Sequence, residues 1–234
     1  MSEFAAGPAG RIERVRALMV ERGYDAIVVR DEANLRWLTG VKGVFDYTFE
    51  FPHAAFITAD QCLFHTDSRY LNSFEENTPA GSPWVYDMDE GTIPGWVAGK
   101  IAANKCRVCA VEDDMQINFY QGIQRGLEDR SVACMLPLMH DDIRKMRAIK
   151  DAEEIELMRH AQSITDAAFQ HMLGFIKPGM TEKQVRNELE NFMFANGADS
   201  LAFGSIVASG PNTANPHACL LYTSPSPRDG LLSR

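Results

Sequence analysis

The residues best suited to chemistry in this 234-residue sequence lie near its C-terminal end, where Ser209-Gly-Pro-Asn212 is followed by Pro216-His217-Ala218. A histidine on a loop rich in glycine, proline and asparagine can present its ring to a ligand, and imidazole exchanges a proton near neutral pH. The bland alternative is a loop histidine that satisfies backbone groups. Other candidates offer less. His160 and His171 share a helical stretch but sit eleven residues apart, which does not stack them on adjacent turns as a metal pair. Cys106-Arg-Val-Cys109 has the C-x-x-C spacing of zinc and redox sites. It leads into an apolar run that reads as a strand, where residues three apart face opposite ways, so the two thiols are expected to diverge and to be structural. Asp67 and Arg69 face differently if Ser68 opens a helix, which leaves Asp67 a local capping role. Glu153 and Glu154 suit the first turn of a helix, whose dipole favours them. His53 could project into a neighbouring subunit's cleft, but a structural histidine is the default. None of these is read as a metal ligand.

The elements that must carry these residues can be read from periodicity. Ile12, Val15, Leu18 and Met19 mark a helix over residues 11–23, stopped by Gly23. The runs Asp25–Val29, Ala54–Thr58 and Cys62–His65 read as strands, the last two as a hairpin. A short helix is predicted over 32–38 and another over 68–74. Trp84–Tyr86, Val108–Val111 and Val132–Leu136 are further strand candidates, separated by helices near 96–103 and 118–127. Alternation of this kind predicts an α/β domain. From Ile143 the texture changes. Asp151 and Glu154 form a capping signal for a long helix to about Phe175, and Thr181-Glu-Lys-Gln184 a second one. Lys177-Pro-Gly-Met180 breaks the chain between the two helices. Phe203–Ser209 then reads as a strand.

Four motifs, in this order, carry a family resemblance: Ile149-Lys-Asp-Ala-Glu-Glu-Ile155, Phe175-Ile-Lys-Pro-Gly-Met-Thr-Glu182, Ser205-Ile-Val-Ala-Ser-Gly-Pro-Asn212 and Pro216-His-Ala218. Together they resemble the pita-bread metallopeptidases, in particular the Xaa-Pro aminopeptidases and prolidases. Asn34-Leu-Arg-Trp-Leu-Thr-Gly40 and Thr66-Asp-Ser-Arg-Tyr70 resemble the creatinase-type N-terminal domain of that family. The resemblance implies an α/β creatinase-type N-terminal domain over 1–140, then the first part of an α+β pita-bread domain over 141–218. It also implies hydrolysis of Xaa-Pro bonds by two divalent metals held by Asp, Asp, His, Glu and Glu. Manganese suits such an oxygen-rich shell, with cobalt or zinc as rivals. His217 matches the family histidine that contacts substrate near the scissile bond and is not a ligand. The implied partners are a proline-containing peptide and a second subunit. Two other classes stay open: a metal-free pita-bread binding module of the histone-chaperone kind, and another pita-bread enzyme such as a creatinase.

The family's metal ligands would follow Ala218. The segment Cys219–Asp229 has no family counterpart and instead resembles one translated frame of a sequencing-library adapter. Residues 219–234 are therefore expected to be a non-native tail, and the chain as given a truncated, metal-free and inactive form. Composition narrows the remaining classes. The formal net charge of -9 argues against a nucleic-acid groove. No apolar run is long enough to span a membrane, and the first residues lack the pattern of an export signal. Five scattered cysteines suit reduced thiols, so a cytoplasmic protein is expected.

Overall fold

The structure is a computed structural model that describes residues 7–41, 52–88, 91–215 and 217. The chain divides into two compact units, Met1–Ile149 and Lys150–Arg234.

The first unit is built on a five-stranded sheet. Its strands are β1 (Ala26–Val29), β2 (Ala54–Thr58), β3 (Cys62–His65), β4 (Val85–Asp87) and β5 (Cys109–Val111), in the order β4-β3-β2-β1-β5. β1 and β3 run antiparallel to β2, whereas β5 runs parallel to β1 and β4 parallel to β3. Successive strand residues face opposite sides, and both sides are apolar. Ile27, Val29, Ala55, Ile57 and Phe64 meet one set of helices: α1 (Gly7–Arg22), α2 (Glu32–Thr39), α3 (Leu71–Asn77) and α6 (Asp142–Ala148). Ala26, Val28, Ala54, Phe56 and Val111 meet α4 (Ile93–Ala103) and α5 (Ile117–Glu128). The central strands β1 and β2 are buried along their whole length, which explains their continuous apolar runs. Gly23 ends α1 with φ at +70°, as its position predicts.

Three expectations are corrected in this unit. The compact unit itself runs to Ile149 and includes α6. Asp142 and Ile143 are buried, and Arg147 reaches Asn34 Oδ1 at 2.7 Å. Val132–Leu136 forms no strand. Met135 and Leu138 make isolated bridges to Val108 and Val111, and Pro137 between them has no N–H to continue a ladder. The helix expected from Ser68 starts at Leu71, and residues 68–70 are a turn. Cys106 lies before β5 rather than on it, so the C-x-x-C thiols do not diverge: both are buried in the cluster formed by α4 and α5.

In the second unit α7 (Ala152–Phe175) and α8 (Glu182–Ala195) each begin with the capping box read from the sequence, Asp151 with Glu154 and Thr181 with Gln184. Gly179, at φ +92°, supports the turn between them. Ile164, Ala168 and Met172 are the buried face of α7. His171 Nε2 meets Glu188 Oε1 at 2.7 Å across the helix pair, and its ring stacks on Phe192. Leu173, Val185, Leu189 and Ile206 line an apolar groove of about 430 Å³. The strand expected at Phe203–Ser209 does not form. A strand requires a partner ladder, and among the described residues this unit contains no strand; Phe203 is 77% exposed. Among the described residues no helix is long and apolar enough to cross a membrane.

Candidate functional site

The loop that leads to His217 is anchored at the start of α8. Thr181 and Gln184 satisfy each other's backbone N–H groups, which leaves the neighbouring carboxylate of Glu182 available for longer-range contacts. Glu182 is 4% exposed. Its Oε1 accepts the backbone N–H of Ser209 at 2.7 Å, and its two oxygens accept Asn212 Nδ2 at 3.1 and 2.9 Å. Between these anchors Gly210–Ala214 makes a short 3₁₀ turn, with Gly210 at φ +55°. The Thr213 hydroxyl donates to Gly210 O, and Asn215 N–H donates to Asn212 O. His217 follows two residues later in a turn, with its side chain exposed.

The other candidates are accounted for locally. His53 is fully buried: its Nδ1 lies 3.1 Å from Thr66 Oγ1, and its ring packs edge-on against Tyr70 and Phe74. Burial lowers its pKa to about 4, with the pull of Asp67 only partly opposing, so it is neutral at physiological pH. In that position it cannot project outward. Asp67 and Arg69 do not face apart, because they occupy a turn rather than a helix. Asp67 accepts both the Arg69 N–H at 2.9 Å and its guanidinium at 2.6 Å, and this bonding holds the carboxyl below its usual range. The His160 backbone carbonyl accepts the Ser163 hydroxyl, and the His171 ring is engaged with Glu188, so the two rings are not brought together. Glu154 closes the capping box of α7, as expected, its Oε2 accepting the Asp151 N–H at 2.9 Å.

Glu182 and Glu112 are two of the buried acids that the sequence reading missed. Glu112 follows β5 and accepts the N–H groups of Arg30 and Asp31 at 2.6 and 2.8 Å, together with Asn34 Nδ2 at 2.7 Å. Burial pushes its carboxyl up to about 7, against the pull of those donors. The only hint in the sequence was an acid directly after an apolar strand. Among the described residues, no group of three or more His, Cys, Asp or Glu side chains could hold a metal ion. The described donors therefore do not fit a metal pair.

Comparison with known proteins adds the following. The Creatinase/Prolidase N-terminal domain family matches residues 11–149, and the Metallopeptidase family M24 matches residues 156–225. The second match extends past Ala218 into the segment that resembles adapter sequence. The uncharacterised peptidase YqhT of Bacillus subtilis is 30% identical over 214 residues, covering 88% of this chain and 55% of that protein. The Xaa-Pro dipeptidase of Pyrococcus furiosus is 40% identical over 77 residues, 33% of this chain and 22% of that one. Among solved structures, the Xaa-Pro dipeptidase from Bacillus anthracis superposes with a TM-score of 0.76 at 30% identity, covering 90% of this chain and 56% of that one. The chain thus spans about half the length of YqhT and of the Bacillus anthracis enzyme. Its fold is an α/β creatinase-type N-terminal domain followed by the first part of an α+β pita-bread domain. The chain belongs to the M24 metallopeptidases that carry a creatinase/prolidase N-terminal domain.

Proposed function

We propose that the protein containing this sequence hydrolyses peptide bonds that precede proline, and that His217 contacts the reacting group. The supporting observation is an exposed histidine at the end of an anchored loop, in a chain of the M24 family. An Xaa-Pro bond is a tertiary amide whose nitrogen carries no hydrogen, so cleavage requires a proton to be delivered to the departing nitrogen. An imidazole that donates a hydrogen bond to the scissile group lowers that barrier. Two divalent cations, manganese first, would supply the activated water, held by Asp, Asp, His, Glu and Glu outside the described residues. The chain as given, without those ligands, is expected to be inactive. A homodimeric, cytoplasmic enzyme acting on short proline-containing peptides completes the proposal.

The test is His217→Ala in the protein extended through its metal-binding part. The rate constant kcat should fall by about 10²- to 10⁴-fold, the usual range for a positioned acid–base group, while KM and bound metal change little. Loss of the metals would make His217 a ligand, and an unchanged kcat would reduce it to a loop residue.

A further inference from the structure

We propose that Glu182 is a positioning residue whose carboxylate fixes the loop that presents His217. The inference rests on the reading of His217 as a substrate contact, but its structural half stands on geometry alone. Glu182 occupies the first helical position of α8, where helix capping does not require it, because Thr181 and Gln184 already close the capping box. Burying a carboxylate is costly unless it is well hydrogen-bonded. At 4% exposure, Glu182 is directed at the Ser209–Asn212 turn, 27 and 30 residues further along the chain. Two features make it a clamp rather than a surface contact. The Ser209 bond is to a backbone N–H, so it fixes main-chain position, and the Ser209 hydroxyl lies within 3.5 Å of the same oxygen. Asn212 offers one amide nitrogen to both oxygens, which also fixes the carboxylate plane.

Beyond Asn212 the 3₁₀ turn is closed by its own bonds from Thr213 and Asn215, so an anchor at 209 and 212 is carried forward to within two residues of His217. The preceding segment offers no comparable hold: Phe203 and Ile206 are 77% and 47% exposed, and no strand forms there. Hydrogen bonds to an ionised acceptor are the strong ones, and the positive end of α8 favours a negative charge at this position. With the carboxylate removed, Ser209 N–H and the Asn212 amide turn to water and the loop samples several positions. His217 then spends only a fraction of its time where the reaction uses it. Catalytic groups lose rate steeply with small misplacement.

The experiment pairs two readouts on Glu182→Ala and Glu182→Gln, with Thr181→Ala as a control for the helix cap. Hydrogen exchange by mass spectrometry on the chain should show amides of residues 209–215 exchanging at least about 10-fold faster in Glu182→Ala, with residues 185–195 unchanged. Partial rescue is expected in Glu182→Gln, whose remaining oxygen still accepts from Ser209. In the protein extended through its metal-binding part, kcat should fall at least about 10-fold in Glu182→Ala with little change in KM, and recover in Glu182→Gln. Unchanged exchange at 209–215 overturns the proposal, as does a parent chain with no protection there at the outset. Faster loop exchange with full kcat, in a protein that His217→Ala inactivates, also overturns the positioning role. If His217→Ala is itself fully active, the functional reading fails instead, and the exchange data still decide whether the clamp exists.

Discussion

Glu112 provides the most exacting check on the packing of the first unit. Replacing it by alanine strands three donors, the N–H groups of Arg30 and Asp31 and Asn34 Nδ2, at the junction of β1, α2 and β5. Each unsatisfied buried donor costs about 1–3 kcal/mol, and water entering the adjoining space recovers part of this, so a loss of about 3–5 kcal/mol is expected when the wild-type carboxyl is protonated. The cost depends on pH. Burial raises the carboxyl from 4.5 to about 7, so its contribution is fully present below about pH 4.5 and declines as pH rises through about 7. The displacement corresponds to roughly 3 kcal/mol at 1.36 kcal/mol per pH unit. Glu112→Ala has no such titration. Its deficit should therefore be large at pH 5 and shrink to about 0–2 kcal/mol at pH 8.5. Urea unfolding of both proteins at the two pH values reads this directly. A deficit that is constant, or that grows with pH, would refute the reasoning. It would mean that the three donors hold the ionised carboxylate more strongly than burial opposes it.

Two further changes probe the opposite face of the sheet. A Cβ built on Gly126 of α5 falls 2.8 Å from Ala98 Cβ of α4, so Gly126→Ala should lower the unfolding free energy by about 1–2 kcal/mol despite the better helix propensity of alanine. Adding Ala98→Gly should restore part of it, and an unchanged urea midpoint would show that the helices separate freely. The thiols should label in order of access. Burial holds Cys62 and Cys106 up at about 11 and raises Cys109 well above its ordinary value, so among the thiols of the described residues a reagent at pH 8 should modify half-buried Cys134 first and Cys109 only on unfolding. Peptide mapping that finds Cys109 modified as fast as Cys134 in the folded chain would contradict this.

Features fixed by neighbours in sequence were legible in advance. The two capping boxes depend on residues three apart, and both form as read. The strands β1, β2 and β3 are apolar runs buried on both faces, and their composition alone identified them. What could not be read depends on partners far along the chain. Val132–Leu136 has strand composition, but Pro137 interrupts its ladder. Phe203–Ser209 has the same composition and no partner strand among the described residues. The Cys106 and Cys109 thiols were expected to diverge, but the strand begins at Cys109, one residue later than the Val108 expected, and Cys106 precedes it. At the candidate site, the role proposed for His217 rests on its motif, and the structure adds its exposure in a turn. Glu182 was not, because its role exists only through Ser209 and Asn212. Glu112 similarly acts on residues about eighty positions away.

The strand order of the sheet also has a kinetic consequence. β2 and β3 are joined by a tight turn and can pair as soon as that turn forms. The β1–β5 pairing is different: Asp25 Oδ2 accepts the N–H groups of Arg107 and Val108, 82 and 83 residues away, and the strands continue in parallel from there. Closing so long a loop carries an entropic cost before any contact offsets it, and pairings of this kind slow folding. The edge of β1 that β5 covers therefore remains open while the hairpin side is already assembled. During synthesis α1, β1, β2 and β3 emerge well before Cys109–Val111, so the nascent domain carries a bare, fully apolar strand edge until β5 arrives. That interval is when this chain is most exposed to pairing with another copy of itself.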